Sequence, residues 1–391
     1  MTGTSSTSRQ ILLDVSRLIW RLWRGGLPTG IDRVCLEYVA HFARRAQAVV
    51  QFRGRIVVFD RTSSDRLFAF MLSERRLSRR RLLSIGARAI PAAAREVPRH
   101  GAIYLNVGHT SLQETALPAW IAKHGLRAIY LIHDLIPITH PEFCRAGEAL
   151  KHELRVRNAL SSAAGIIGNS RATLDDLIAF ASERRLRMPP VLCAWISGWK
   201  HTKTLEPRAL EKPHFITVGT IEARKNHILL LRVWERLIEA MGEDAPILLV
   251  VGQRGWEAEA TIAALDLFAS PGGKVRELNR CEDDEVQDLV AGAKALLMPS
   301  WVEGFGLPII EALQVGTPVI ASDLPVYHEL VGDIPTYVAP NDESAWETAI
   351  RAFLIDGPES RRQRHAMKGY QPPDWPSHFA KVEGWLNQLS D

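Results

Sequence analysis

Short runs of apolar and β-branched residues recur along this chain, most of them followed by a stretch whose apolar positions repeat at helical spacing. In the first half the predicted strands are ILLDVS (11–16), RIVVFD (55–60), AIYLNVG (102–108), RAIYLIH (127–133) and GIIGNS (165–170). The second half repeats the rhythm with HFITVGT (214–220), PILLVVG (246–252), KVREL (274–278), AKALLMPS (293–300) and TPVIAS (317–322). Helical patterns lie between several of them, for example at 31–43 and 171–180. This alternation predicts parallel sheets flanked by helices. ITVG and LLVVG are apolar almost throughout, as strands covered on both faces are. The segment 197–212 is polar and proline-containing, and it separates the halves. The expectation is two doubly wound, Rossmann-like α/β domains, 1–200 and 201–365, with 366–391 forming a terminal amphipathic helix. Ligands bind such sheets at the carboxyl ends of their strands.

Composition agrees with this picture and narrows it. A chain of 391 residues exceeds one ordinary core. With 46% hydrophobic and 24% charged residues it is globular rather than disordered. Cys35, Cys144, Cys193 and Cys281 are far apart, which excludes a zinc ribbon or disulfide framework and suits a reducing compartment. No apolar run approaches the roughly 20 residues that span a bilayer. The start, MTGTSSTSRQ, has no signal-peptide pattern. Charge is uneven: residues 1–200 carry 30 Lys and Arg against 15 Asp and Glu, and 201–391 carry 18 against 29. Arg75, Arg76, Arg79, Arg80, Arg81, Arg88, Arg95 and Arg99 form the densest basic stretch. It reads either as a solvated face or as a surface for an anionic membrane or a phosphate-bearing acceptor. No nucleic-acid recognition motif accompanies it.

The segment with the most chemistry is PSWVEGFGLPIIEALQVGTPVIAS (299–322). A buried strand empties into a loop with Gly304 and Gly306, and Pro308 stands where a helix begins. Strand, glycine loop and helix N-terminus form an anion site, because free N–H groups point outward and glycine lets a phosphate approach. Glu303 lies on the loop and Glu311 about a turn into the helix, so both can face one ligand. The string EGFGLPIIEA, followed by GTPVIAS, closely resembles the E-G-F-G-L-P-x-x-E-A segment of the GT4 family of retaining nucleotide-sugar glycosyltransferases, which have the two-domain GT-B fold. The resemblance implies that Glu303 contacts donor-sugar hydroxyls and Glu311 the ribose. It also implies that the backbone of Gly304, Phe305, Gly306 and Leu307 meets the sugar and diphosphate.

Other segments extend the resemblance. In VGTIEARKNHILLL (218–231), Gly219 ends a strand, Arg224 and Lys225 follow on a loop, and Asn226 is placed as a helix N-cap. By themselves Arg224 and Lys225 read as a solvated turn. The resemblance gives them the donor diphosphate, whose charge grows as the sugar–phosphate bond breaks. No DxD metal motif lies on a strand-end loop, and Asp283 and Asp284 read as acids opening a helix. The expectation is therefore no metal ion and no cofactor. RAIYLIHDLIPITHPE (127–142) resembles a mannosyltransferase-rich subset, which implies that His133 lies over the donor sugar and that Asp134 orients the loop. The family's first glycine loop corresponds to Gly30, preceded by Thr29 as a cap. Asp32 and Arg33 depart from the family pattern and receive no role. Trp20, Arg21, Trp23 and Arg24 read as part of a loop that either packs or forms an interfacial patch. Leu278, Asn279, Arg280 and Cys281 match the family's base pocket. The resemblance also implies that the terminal helix, 374–386, crosses back onto the first domain.

The expected activity is retaining, metal-independent transfer of a hexose, with mannose from GDP-mannose the first choice of donor, to a lipid-linked or polysaccharide acceptor in envelope glycan synthesis. A cytoplasmic location is expected, with peripheral attachment to the inner face of the membrane left open. A UDP-sugar donor, a phosphorylase and a catalytically silent scaffold remain alternatives.

Overall fold

The computed structural model describes residues 11–24, 30–52, 54–73, 82, 84–85, 98–200, 204–255, 257–268 and 272–389. Thr29 and the arginines from Arg75 to Arg95 lie outside the described residues; Arg99 is exposed. Two α/β domains with sheets of parallel strands form the molecule. The first sheet has the order β3-β2-β1-β4-β5-β6-β7. Its strands are β1 (Ile11–Asp14), β2 (Ala46–Phe52), β3 (Arg55–Val58), β4 (Ile103–Asn106), β5 (Arg127–Ile132), β6 (Ala163–Gly168) and β7 (Val191–Cys193). The second sheet has the order β10-β9-β8-β11-β12-β13. It consists of β8 (His214–Val218), β9 (Ile247–Val251), β10 (Val275–Leu278), β11 (Leu296–Met298), β12 (Val319–Ser322) and β13 (Thr336–Val338). In both sheets the order reverses beside the first strand in sequence, the switch point at which ligands bind.

Three features differ from the sequence reading. β3 pairs antiparallel with β2, because only two residues separate them in the chain, too few for a crossover. Gly54 has φ 75°, the left-handed backbone so short a connection uses. The strands β2, β7 and β13 were not expected; β2 carries two glutamines, and β7 and β13 have three residues each. The segment expected as a loop after β1 is instead a helix, Ser16–Arg24. Leu18 is buried, Ile19 and Leu22 pack on the core, and the Arg17 and Arg21 Nε atoms donate to Asp32 at 2.7 and 2.9 Å. The apolar and the basic positions are thus both occupied, which a loop reading of the two tryptophans overlooks.

The terminal helix, Trp375–Gln388, packs on the first domain. Its buried face is Trp375, Phe379, Val382 and Leu386. His378 bridges the Tyr38 hydroxyl and the Trp195 carbonyl, each at 3.0 Å. A Cβ on Gly165 of β6 would stand 2.4 Å from the Trp385 ring, so glycine there permits the crossing.

Candidate functional site

The carboxyl end of β8 leads through Gly219 (φ 147°) into a short turn, Ala223–Lys225. The carboxyl end of β11 leads into the loop holding Glu303. These two connections lie side by side, and the Trp301 amide donates to the Arg224 carbonyl at 2.8 Å. Arg224 Nη1 donates to Glu303 Oε2 at 2.7 Å, Lys225 Nζ donates to Glu303 Oε1, and Ser300 Oγ donates to the same oxygen at 2.8 Å. Arg224 Nη2 also meets Glu222 Oε1 at 2.6 Å. Lys225 and Glu222 are buried, and the Glu303 side chain is 5% exposed. Burial pushes the Glu303 carboxyl up, but Lys225 and Arg224 more than reverse this and hold it at about 2. Burial disfavours the Arg224 cation, and Glu303, Glu222 and Asp134 outweigh that and raise its pKa. Arg224 and Glu303 are therefore fixed in charged form at the end of the sheet.

Gly306 has φ 97° and immediately precedes the helix Leu307–Gln314, which carries Pro308 in its first turn. A Cβ on Gly306 would come 2.6 Å from Tyr327, and one on Gly304 would come 2.5 Å from the His133 carbonyl. Gly304 is thus one of the points where the two domains touch. Its carbonyl accepts from Ser170 Oγ at 3.1 Å and Thr173 Oγ1 at 3.2 Å, both from the first domain. Phe305 is buried, and Leu307 Cδ1 lies within 3.3 Å of where a Gly30 Cβ would be. Gly30 opens the helix Gly30–Phe42 on the opposite side of the cleft.

His133 follows β5 and is buried. Its Nε2 lies 2.8 Å from the Val107 carbonyl, so that nitrogen donates and Nδ1 is the ring's acceptor. Burial lowers its pKa to about 4, so it is neutral at pH 7. Asp134 Oδ1 accepts from the Ile136 amide at 3.2 Å, closing the following turn. His109 and His152 stand behind it, with ring centroids 5.0 Å (His109 to His133) and 5.9 Å (His109 to His152) apart. Burial depresses the pKa of both.

Glu311 is buried, and its Oε1 lies 2.7 Å from Arg33 Nη2 of the first domain. This is an ion pair without hydrogen-bond alignment, since Oε1 has no hydrogen-bond partner. Burial raises the Glu311 pKa, and Arg33 only partly opposes it. Leu278 and Cys281 are half-buried at the end of β10, with Asn279 and Arg280 exposed between them. The Leu278 carbonyl accepts from the Gly252 amide at 3.0 Å. Asn226 does not cap the next helix through its side chain. Its Nδ2 instead donates to the Pro299 carbonyl at 3.1 Å and the Pro340 carbonyl at 2.8 Å, tying the turn to the β11 loop.

Of the site residues named from the sequence, Arg224, Lys225 and Glu303 are in direct contact, His133 lies against Gly304, and Gly30 lies against Leu307. Sequence reasoning missed Arg33 and Glu222. Glu222 sits in IEARK beside the two cations, and only the fold shows that it shares Arg224. Arg33 lies in TGIDRV, and its partner is distant in sequence. Among the described residues, no group of His, Cys, Asp and Glu has metal-holding geometry. A surface hollow of about 550 Å³ lies elsewhere, lined by Thr336, Asp342, Thr348 and Glu359, and contains none of these residues.

Residues 203–370 match the family model for glycosyl transferases group 1. The chain is 29% identical over 246 residues to the serotype-specific mannosyltransferase WbdA of Escherichia coli, covering 59% of this chain and 30% of that protein. It is 28% identical over 247 residues to the O-antigen chain mannosyltransferase B of Escherichia coli, covering 61% of this chain and 64% of that protein. The chain thus spans under a third of WbdA and just under two thirds of mannosyltransferase B. The solved structure of Anabaena HepE in complex with UDP-glucose superposes with a TM-score of 0.66 at 16% identity, over 97% of this chain and 99% of that one. That likeness fixes the architecture as GT-B.

Proposed function

We propose that this chain, whose residues 203–370 match the model for glycosyl transferases group 1, is a retaining mannosyltransferase acting on a glycan acceptor in polysaccharide synthesis. The observation that carries this reading is the buried contact of Arg224 and Lys225 with Glu303, beside the Gly304–Gly306 turn and the N-terminus of Leu307–Gln314. A nucleotide-sugar diphosphate supplies the anion such a site takes. Glu303 then accepts hydrogen bonds from sugar hydroxyls, and His133 accepts one through Nδ1. Glu311 faces the ribose and Leu278–Cys281 the base.

The reaction is front-face substitution. The bond from the anomeric carbon to the leaving phosphate oxygen breaks, and the acceptor oxygen bonds to the same face. The acceptor proton passes to the departing phosphate. Arg224, Lys225 and the helix N-terminus stabilise the charge developing on the diphosphate without a metal ion. Two charged carboxylates do not make this a glycosidase, because Glu303 is neutralised by cations on the donor side rather than set as a nucleophile. The acceptor is a lipid-linked or polymeric glycan, and the basic first domain suits an anionic membrane surface. Among the described residues no helix is long and apolar enough to cross a membrane.

The test is a panel of GDP- and UDP-sugars with methyl α-D-mannopyranoside as acceptor, with and without EDTA. GDP-mannose should give an α-linked product by proton NMR, at the same rate in EDTA. A β-linkage overturns the retaining reading, preference for a UDP-sugar overturns the donor, and EDTA inhibition reversed by magnesium overturns the metal-free mechanism.

A further inference from the structure

Three aromatic rings line up where the two domains meet. Trp301 stands two positions before Glu303 and is 37% exposed, although the neighbouring Ser300 is buried. Its ring faces Phe143 of the first domain, with centroids 6.4 Å apart and planes only 14° from parallel. His140 continues the series, 6.2 Å from Phe143 and 16° from parallel. Phe143 ends the short turn Pro141–Phe143, on the segment that leaves His133 and Asp134. The indole is anchored at the charged centre, because its own amide donates to the Arg224 carbonyl.

We propose that Trp301 and Phe143, backed by His140, form the platform that receives the acceptor's sugar ring. This rests on the glycosyltransferase reading above. One face of a pyranose carries polarised C–H groups, and these pack on the negative face of an aromatic ring. The ring's edges stay free to hydrogen-bond with water or protein. Trp301 extends outward from the loop whose inner residues, Glu303 to Leu307, meet the donor, so a sugar on it lies on the solvent side of the reacting centre. Phe143 and Trp301 come from different domains, so the platform is assembled only when the two domains meet as they do here. An acceptor sugar placed on it would therefore favour closure over the donor.

Three variants, Trp301→Ala, Phe143→Ala and Trp301→Phe, test the platform in the full chain, with methyl α-D-mannopyranoside as probe. Saturation-transfer NMR of the probe reports acceptor contact directly, and calorimetry with GDP and UDP reports nucleotide binding. Each alanine variant should raise the probe's KM or Kd at least about fivefold, within the range an aromatic contact supports, with nucleotide affinity within about twofold. Trp301→Phe should restore most of the loss. The double alanine variant should lose less than the product of the single losses, because the rings act as one unit. Probe affinity unchanged in both alanine variants overturns the platform. Equal loss of nucleotide affinity also overturns it and returns Trp301 to shaping the Arg224 turn. Probe contact that depends on Trp301, in a protein that binds no nucleotide, keeps the platform and removes the transferase reading instead.

Discussion

Lys225 and Arg224 share one carboxylate, and this decides what each substitution does. Lys225→Ala removes a charge-assisted contact worth about 1.5–3 kcal/mol to a bound anion. It should lower kcat/KM for nucleotide-sugar turnover at least about tenfold, as steady-state kinetics will measure. A smaller effect would mean that the diphosphate sits elsewhere. Glu303→Gln leaves Arg224 and Lys225 with one carboxylate fewer, so it should lower the melting temperature as well as the rate. The Glu303 carboxyl is held at about 2, below its ordinary 4.5. Its contribution to stability is present above the unfolded value and is lost only as pH falls through the folded one. The acid limb of a pH–rate profile between pH 5 and 7 therefore belongs to another group.

At the scale of elements, the helix Arg171–Glu183 holds the domains together. Ser170 caps it, accepting from the Thr173 amide at 3.0 Å. Its first amides are satisfied from the other domain: Arg171 and Ala172 donate to the Glu329 carboxylate at 2.7 and 3.1 Å. Trp195 Nε1 adds a third contact to Glu329 at 2.7 Å. A carboxylate at a helix N-terminus, partly buried, is worth up to about 2 kcal/mol. The same helix start grips the Gly304 carbonyl, so the latch and the glycine loop are mechanically one. Glu329→Ala should favour opened domains and increase the radius of gyration in small-angle scattering. An unchanged radius would show that the Arg33–Glu311 pair and the terminal helix suffice. The helix itself was legible in the sequence at 171–180, but its contact with Glu329, 158 positions away, was not.

Among the described residues, six histidines are held below their ordinary pKa by desolvation. Burial lowers the pKa of His109, His133, His152, His214, His227 and His378, to about 4 at His133, about 3 at His227 and about 4 at His378. The unfolded chain binds these protons more readily, so stability is full above the ordinary histidine pKa and falls as pH drops toward the folded values. Each contributes a slope of about 1.4 kcal/mol per pH unit within its window. Asp14 and Glu311 have pKa values raised by burial and oppose this above the unfolded carboxyl values. The melting temperature should therefore fall between pH 6.5 and pH 5, measured by calorimetry. A flat profile there would mean that the histidines are charged and solvated.

The sequence by itself determined strands at the middle of the sheets, because strands buried on both faces are largely apolar, as β9 and β11 are throughout and β8 is at its centre. It also determined the glycine turn, since only glycine tolerates φ 97° at 306 and the contact of Gly304 with the His133 carbonyl. The edge strand β13 and the inner strand β2 escaped it, because both mix polar residues and lack the run of apolar positions that marks a covered strand. The helix Ser16–Arg24 escaped it because its arginines find their partner, Asp32, only after the chain has folded back. The pairings Arg33–Glu311, Glu329 with the Arg171 amide, and Phe143 with Trp301 were decided by tertiary structure alone. Each joins residues more than a hundred positions apart, and no local periodicity records which of two distant surfaces will meet.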